Sequence, residues 1–295
     1  MSDNFFELRS LQQKQNPLAH RNEKLTEKKF LWEFLFCPAP SPLFFMKAGR
    51  GEQSFLSYLR VVGIWVLLFG FSLLTGCQSG MTRKDGTSML TEAEQNAGWK
   101  VLFDGKTFKG WRGFRMDKVP EGWAITEQGE LHFSPPGKGD LMTEEEYADF
   151  ELQLEWKISP GGNSGIFFRS SEKREQSWQT APEMQVLDNK LHKDGQNPLT
   201  SAGSNYALHA PTRDVTRPVG EYNQVRLLVQ KNHVEHWLNG EKIVEYEIGS
   251  PEWQVLVANS KFATLPDYGR YRSGHIVLQD HGNEVWYRNI KIHPL

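Results

Sequence analysis

The feature that most limits how this chain can fold is a period of two that returns in one short run after another. Phe150-Glu151-Leu152-Gln153-Leu154-Glu155-Trp156 alternates apolar and polar residues. A strand with one buried face must do so, because successive side chains point to opposite faces. Comparable runs occupy residues 130–133, 165–169, 183–187, 206–209, 223–230, 233–238, 242–248, 274–279 and 284–292, and Gly, Pro, Asn and Asp punctuate them. Asn239-Gly240 is a strong hairpin signal, since both residues tolerate positive φ, and Lys231-Asn232 suits a second tip. No long segment carries a helical period; residues 90–97 and 143–148 each suit a turn or two. About ten short strands with few helices predict an all-β, two-sheet jelly-roll sandwich. Its body spans residues 98–295, long enough for one sizeable core, and most of its tryptophans belong in that core.

The N-terminal part reads differently. Val61 to Leu74 is an uncharged apolar run, short for a membrane span and preceded by Lys47, Arg50 and Arg60, which is the layout of a signal peptide. It ends in Leu74-Thr75-Gly76-Cys77, a tetrad that resembles the bacterial lipobox, whose cysteine is acylated. Residues 1–76 are therefore expected to be a signal region, with Met46 as the conventional start and 1–45 as an over-called one. Cys77 is then the lipidation site, and 77–97, polar and small, a tether. Cys37 falls in the removed part, which leaves the folded body without a thiol for a disulfide or a nucleophile. Residues 1–76 carry 9 Lys and Arg against 6 Asp and Glu, and 77–295 carry 25 against 30. A mildly acidic body without a basic stripe argues against nucleic acid as a partner. The expected location is the bacterial cell envelope, held by a lipid anchor.

The chemistry-bearing stretch is Glu183-Met184-Gln185-Val186-Leu187-Asp188-Asn189. Met184 and Val186 share one face of a strand; Glu183 and Gln185 share the other, the face a sheet turns to an open cleft. Arg169 falls on the face of Phe167, and Gln279 and His281 alternate against Ile276 and Leu278. Singly these are bland, for a strand glutamate is commonly surface, a strand-end arginine commonly ion-paired, and His281 beside Gly282 suits a hairpin cap. Together they offer acid, base and electrophile types from one polar face. Trp178, in a polar loop before the Glu183 strand, suits stacking on a sugar ring. His192, just after Asp188 and Asn189, is either a ligand contact or simply solvated. Residues 161–165 lack the lysine and helix of a phosphate loop and read as close backbone packing at a strand start. No His, Asp and Glu set has a specific metal spacing.

Six motifs then carry a resemblance over residues 98–295: Gly98 to Lys106 (GWKVLFDGK), Asn163 to Ile166 (NSGI), Glu183 to Asn189, Trp237 to Gly240 (WLNG), Gly274 to Gly282 (GHIVLQDHG) and Arg288 to Ile290 (RNI). In this order they resemble the 3-keto-disaccharide hydrolase family, long catalogued as a domain of unknown function. The resemblance implies a concanavalin A-like lectin/glucanase sandwich in an exported lipoprotein, acting on glycosides oxidised at C3. A C3 ketone acidifies the C2 proton, so a base can remove it, the C1 oxygen can leave, and water can add to the enone. On this resemblance Glu183 and His281 are expected as the acid/base pair, with either one as the base. Arg169, Gln185 and Gln279 are expected to hold the sugar or stabilise the enolate, with a divalent cation as the alternative electrophile. Asp188, Asn189, Trp178 and His192 are expected substrate contacts.

Two other readings fit the same residues. Glucanases of this general fold carry Glu-x-Asp-x-x-Glu; Glu183-x-Gln185-x-x-Asp188 departs from it at two of three positions, which puts the carboxylate pair of a retaining mechanism, about 5 Å apart, in doubt. A non-catalytic carbohydrate-binding lipoprotein is the other, since a fold does not decide function.

Overall fold

A computed structural model describes residues 90–295. The apolar run 61–74, the lipobox-like tetrad with Cys77, and Cys37 and Met46 lie outside the described residues. Helix α1 (Glu92–Asn96) is capped by Thr91, whose hydroxyl accepts from the Glu94 backbone N–H while the Glu94 carboxylate accepts from the Thr91 N–H at 2.8 Å. Glu94 also pairs with Lys291, so the last residues of the expected tether are fastened to the body.

Thirteen strands follow, in two antiparallel sheets. The strands are β1 (Lys100–Val101), β2 (Trp111–Gly113), β3 (Trp123–Ile125), β4 (Leu131–Phe133), β5 (Leu141–Thr143), β6 (Phe150–Ile158), β7 (Asn163–Ser170), β8 (Glu183–Leu187), β9 (Asn223–Gln230), β10 (His233–Leu238), β11 (Glu241–Glu247), β12 (His275–Leu278) and β13 (Val285–Pro294). Eight form one sheet in the order β11-β10-β9-β6-β13-β4-β3, with β1 on β13, and five form the other in the order β2-β5-β12-β7-β8. This is the expected jelly-roll sandwich.

Alternation builds the core. Phe150, Leu152, Leu154 and Trp156 of β6 face inward with Val225, Leu227 and Val229 of β9 and Tyr287, Ile290 and Ile292 of β13. Ile166, Phe168, Met184, Val186, Ile276 and Leu278 of the five-stranded sheet meet them. Each such side chain contributes about 1.5–3 kcal/mol by leaving water. Both predicted hairpin tips form, with Lys231 at φ 56°, Asn239 at φ 51° and Gly240 at φ 85°.

The differences have local causes. Residues 206–209 make no strand; they close a turn in which Asn205 bridges to His209. The short strands β1, β2, β3 and β5 have two or three residues each, too few to display a period. Helix α2 (Pro251–Ala258) starts at a Ser250 cap with Pro251 in the first turn, but its apolar residues do not gather on one stripe. Residues 143–148 form no helix.

Candidate active site

The outer face of the five-stranded sheet carries the site. β7 and β8 pair with Phe167 opposite Glu183 and Gly165 opposite Gln185, which turns both polar side chains of β8 away from the core. Gly165 makes the room that Glu183 needs. A Cβ at Gly165 would lie 2.2 Å from Glu183 Oε1 and 2.9 Å from its Cδ. The close packing expected at residues 161–165 is therefore a bay for a carboxylate. Gln279 extends the same face beyond β12: its N–H donates to the Gly165 carbonyl at 3.0 Å, and its own carbonyl accepts from Ser164 Oγ at 2.7 Å.

Around these residues opens a cleft of about 250 Å³, small among ligand pockets. Glu183, Gln185, Asn163 and Gln279 line it from the sheet; Asp140, Asp280 and His281 line it from neighbouring loops. Gln176, Trp178, Tyr206 and Lys261 complete the wall. Trp178 sits in the 3-10 turn Ser177–Gln179 and packs on the small apolar cluster of Phe114, Met142, Phe167, Ala181 and Val277, which covers the adjoining part of this face.

The cleft is polar yet under-partnered. Glu183 is 6% exposed, and among the described residues its carboxylate has no hydrogen-bond donor. Burial drives its pKa well above the usual carboxylate range; Lys261 pulls the other way, and Asp140 and Asp194 push it further up. Asp140 is pushed up to about 6, again chiefly by burial, although Ser177 Oγ and the Asp280 N–H, at 2.9 Å, donate to it. Asn163 Oδ1 and Gln279 Oε1 are buried acceptors without a partner among the described residues. Both line the cleft, where a ligand hydroxyl could donate to either. His281 stands exposed at the rim, where partial desolvation holds its imidazole below its ordinary pKa.

Of the expected site residues, Glu183, Gln185, Gln279, His281 and Trp178 come together here. Gln185 is partly committed, its Nε2 donating to the Thr200 carbonyl at 3.3 Å. His192 caps the turn Lys193–Gln196 through Nδ1, which accepts from the Asp194 N–H at 3.1 Å. It lies close enough to His281 to lower that residue's pKa, but it does not line the cleft.

Three expected contacts lie elsewhere. Arg169 takes φ 53°, a left-handed conformation that throws its side chain off the face shared by Phe167 and Glu183. It is 3% exposed, donates twice to the Ala148 carbonyl, at 2.9 and 2.7 Å, and pairs with Asp149 at 3.0 Å. It cannot serve as the electrophile of this cleft. Asp188 is used by a turn, accepting from the N–H groups of Gly161, Lys190 and Leu191. Asn189 Oδ1 accepts from the Ala202 N–H at 2.8 Å. With Asp188 spent, the spacing Glu183-x-Gln185-x-x-Asp188 makes no carboxylate pair.

Four wall residues had no sequence signal of their own. Asp140 precedes a three-residue strand, Gln176 and Lys261 sit in featureless loops, and Tyr206 stands in a run that reads as a strand but folds as a turn. As for metal ligands, among the described residues one trio places ligand atoms within 4.8 Å of one another: His233, Glu235 and Glu245. It lies on the far sheet, outside the cleft.

A jelly-roll sandwich carries a carboxylate in a polar cleft on one of its sheets. Residues 98–293 match the family described as the 3-keto-alpha-glucoside-1,2-lyase-like domain, and the chain belongs to that family. It is 36% identical over 229 residues to a 3-keto-disaccharide hydrolase of Bacteroides thetaiotaomicron, covering 67% of this chain and 79% of that one. Its fold is similar to a crystal structure from Parabacteroides distasonis ATCC 8503 described as a candidate glycosyl hydrolase, with TM-score 0.67, 34% identity, and coverage of 70% of this chain and 98% of the other. A second structure so described from that organism gives TM-score 0.52 at 28% identity, covering 67% and 99%.

Proposed function

We propose that this protein cleaves glycosides, and that its substrates are glycosides or disaccharides carrying a ketone at C3. The observation that carries the reading is Glu183: a buried strand carboxylate without a donor, its proton affinity raised, at the floor of a sugar-sized polar cleft. A raised carboxylate pKa makes a stronger base, which removal of a carbon-bound proton requires. The hydrolase relative of Bacteroides thetaiotaomicron supports the substrate class.

Glu183 takes the C2 proton, and the electron pair moves into C2–C3 while the C3 oxygen becomes an enolate. The enolate collapses to a C1=C2 enone and expels the C1 oxygen. His281, neutral because its pKa is low, relays a proton from water to that departing oxygen. The hydroxide left behind adds to C1, and Glu183 returns the proton to C2, so one water is consumed and a glycosidic bond is hydrolysed. Asn163 and Gln279 accept hydroxyl protons of the sugar, and Trp178 offers an aromatic wall.

Incubation with a 3-keto-disaccharide and with its unoxidised parent, followed by mass spectrometry, tests this. Cleavage of the keto sugar alone is expected. Cleavage of the parent at the same rate would favour direct hydrolysis, and binding of both without turnover a carbohydrate-binding lipoprotein.

We also propose that the protein is anchored in the cell envelope by acylation of Cys77, on the strength of the Leu74-Thr75-Gly76-Cys77 tetrad behind an apolar run. Labelling cells with an alkyne fatty acid checks it. Label should enter the wild-type protein and be absent from Cys77→Ser, and equal label in both would refute it.

A further inference from the structure

Lys261 was not among the groups expected to act on substrate, yet it is the lysine that lines the cleft. It lies three residues beyond α2, and its Nζ sits 4.1 Å from the centre of the Tyr206 ring, 5.1 Å from Phe262 and 5.6 Å from Trp178. Aromatic faces attract a cation without using its hydrogen-bond donors. Among the described residues no carboxylate oxygen comes within 4.0 Å of this Nζ, whereas Lys138, Lys242 and Lys291 each pair with one. Lys261 and Glu183 line the same cleft and feel each other's charge across it without closing an ion pair. An ammonium steered by rings, with its donors free and a bare carboxylate across a gap, is arranged for an anion that forms between them.

We propose that Lys261 is a catalytic residue, the electrophile that hydrogen-bonds the C3 oxygen and stabilises the negative charge it gains when Glu183 removes the C2 proton. This rests on the keto-glycoside reading and fills the role that Arg169 cannot. Placing the two groups on opposite sides of the C2–C3 bond couples proton removal to charge stabilisation: the C2 electron pair flows into the C2–C3 bond, the carbonyl pair moves onto oxygen, and no proton leaves Lys261. A preorganised donor at a developing oxyanion is worth about 100- to 1000-fold in turnover.

The test uses Lys261→Met and Lys261→Arg in the whole protein, with thermal melting to confirm that each variant is folded. Binding is measured first, with an uncharged disaccharide and the same disaccharide bearing a carboxylate at C3 as a stable anion. The wild type should prefer the anion by at least about tenfold, and Lys261→Met should lose that preference while keeping its affinity for the neutral sugar. A wild type without the preference overturns the inference whether or not it turns over keto sugars. Turnover of the 3-keto-disaccharide is measured next. Lys261→Met should lose about 100-fold in kcat with KM changed less than tenfold, and Lys261→Arg should recover part of the loss. The pH profile separates this from a merely structural role. The groups facing Lys261 are Glu183, Asp194 and Tyr206, and removing its charge should move the limb set by Glu183 to higher pH. A kcat in Lys261→Met within about threefold of the wild type, or a wild-type activity abolished by a chelator and restored by a divalent cation, would assign the charge to another group. Failure of the wild type to cleave the keto sugar while it still prefers the anion would count against the keto-glycoside reading and leave Lys261 as the anion-binding group.

Discussion

Glu183 and Glu235 are both strand glutamates, one on the outer face of each sheet, and their surroundings drive them in opposite directions. Glu235 loses some solvation to burial but accepts from Trp237 Nε1 at 2.7 Å and pairs with Lys242 at 3.1 Å and Arg226 at 3.5 Å. Its pKa is lowered to about 2. Glu183 has more burial and no donor, and its pKa rises. The contrast extends to the two faces. On the eight-stranded sheet Arg226 pairs with Glu151, Arg288 with Glu155, and His233 with Glu247. Even the trio with ligand-like spacing, His233, Glu235 and Glu245, is held by Lys242. On the five-stranded sheet Glu183, Asn163 and Gln279 keep open valences. Polarity is common to both faces; on the five-stranded sheet the unpaired groups gather around one cleft.

Substitutions can break that contrast, and the largest effect is expected away from both glutamates. Arg169→Met should cost about 2 kcal/mol in denaturant unfolding, because it removes the donors that Arg169 gives to the Ala148 carbonyl and to Asp149, and it should leave the KM of the folded fraction unchanged. A raised KM at unchanged stability would return Arg169 to the site. Gly165→Ala should push Glu183 out of its bay and lower turnover about 100-fold, a change that steady-state kinetics beside a melting curve would show.

Next in size are opposite pH responses of the two glutamates. An acid whose pKa is lowered by folding adds stability above its unfolded pKa, near 4.3, and loses it as pH falls through the folded value. Glu235→Gln should therefore be less stable than the wild type by about 1–2 kcal/mol at pH 7, with the deficit closing towards pH 2. For an acid whose pKa is raised, stability is present below the unfolded pKa and lost as pH rises through the folded one. Glu183→Gln should accordingly match the wild type near pH 4 and gain on it as pH rises. Melting temperatures across pH decide both, and parallel curves would mean the two sites are electrostatically alike. The smallest effect is expected for Arg288→Ala, whose pair with Glu155 is partly exposed: under about 1 kcal/mol, with turnover unaltered.

Much of this architecture was legible because alternation reports burial directly. Residues 183–187, 223–230 and 233–238 form strands with the expected bounds, the alternation that starts at Phe150 runs on to Ile158, and both hairpin tips follow from residues that accept positive φ. The site was half legible. Glu183 and Gln185 are placed by the period of one strand, and Gln279 and His281 by the end of another. The same reasoning failed at Arg169, where a left-handed residue breaks the alternation, and at Asp188, where a side chain that could face a cleft satisfies three backbone N–H groups of a turn instead. Lys261 was invisible for a third reason. It follows Glu183 by 78 positions, in a loop without periodicity, and only the closed sandwich brings it to the cleft.

Glu183 is proposed to perform the proton transfer at C2, and isotope exchange reads that step alone. A 3-keto-disaccharide would be incubated in deuterium oxide with the wild type or with folded Glu183→Gln, and deuterium at C2 of recovered substrate and product followed by NMR. Exchange far above the uncatalysed rate is expected with the wild type, and none above it with Glu183→Gln. Exchange at the wild-type rate in Glu183→Gln would contradict that role and assign the base to another group.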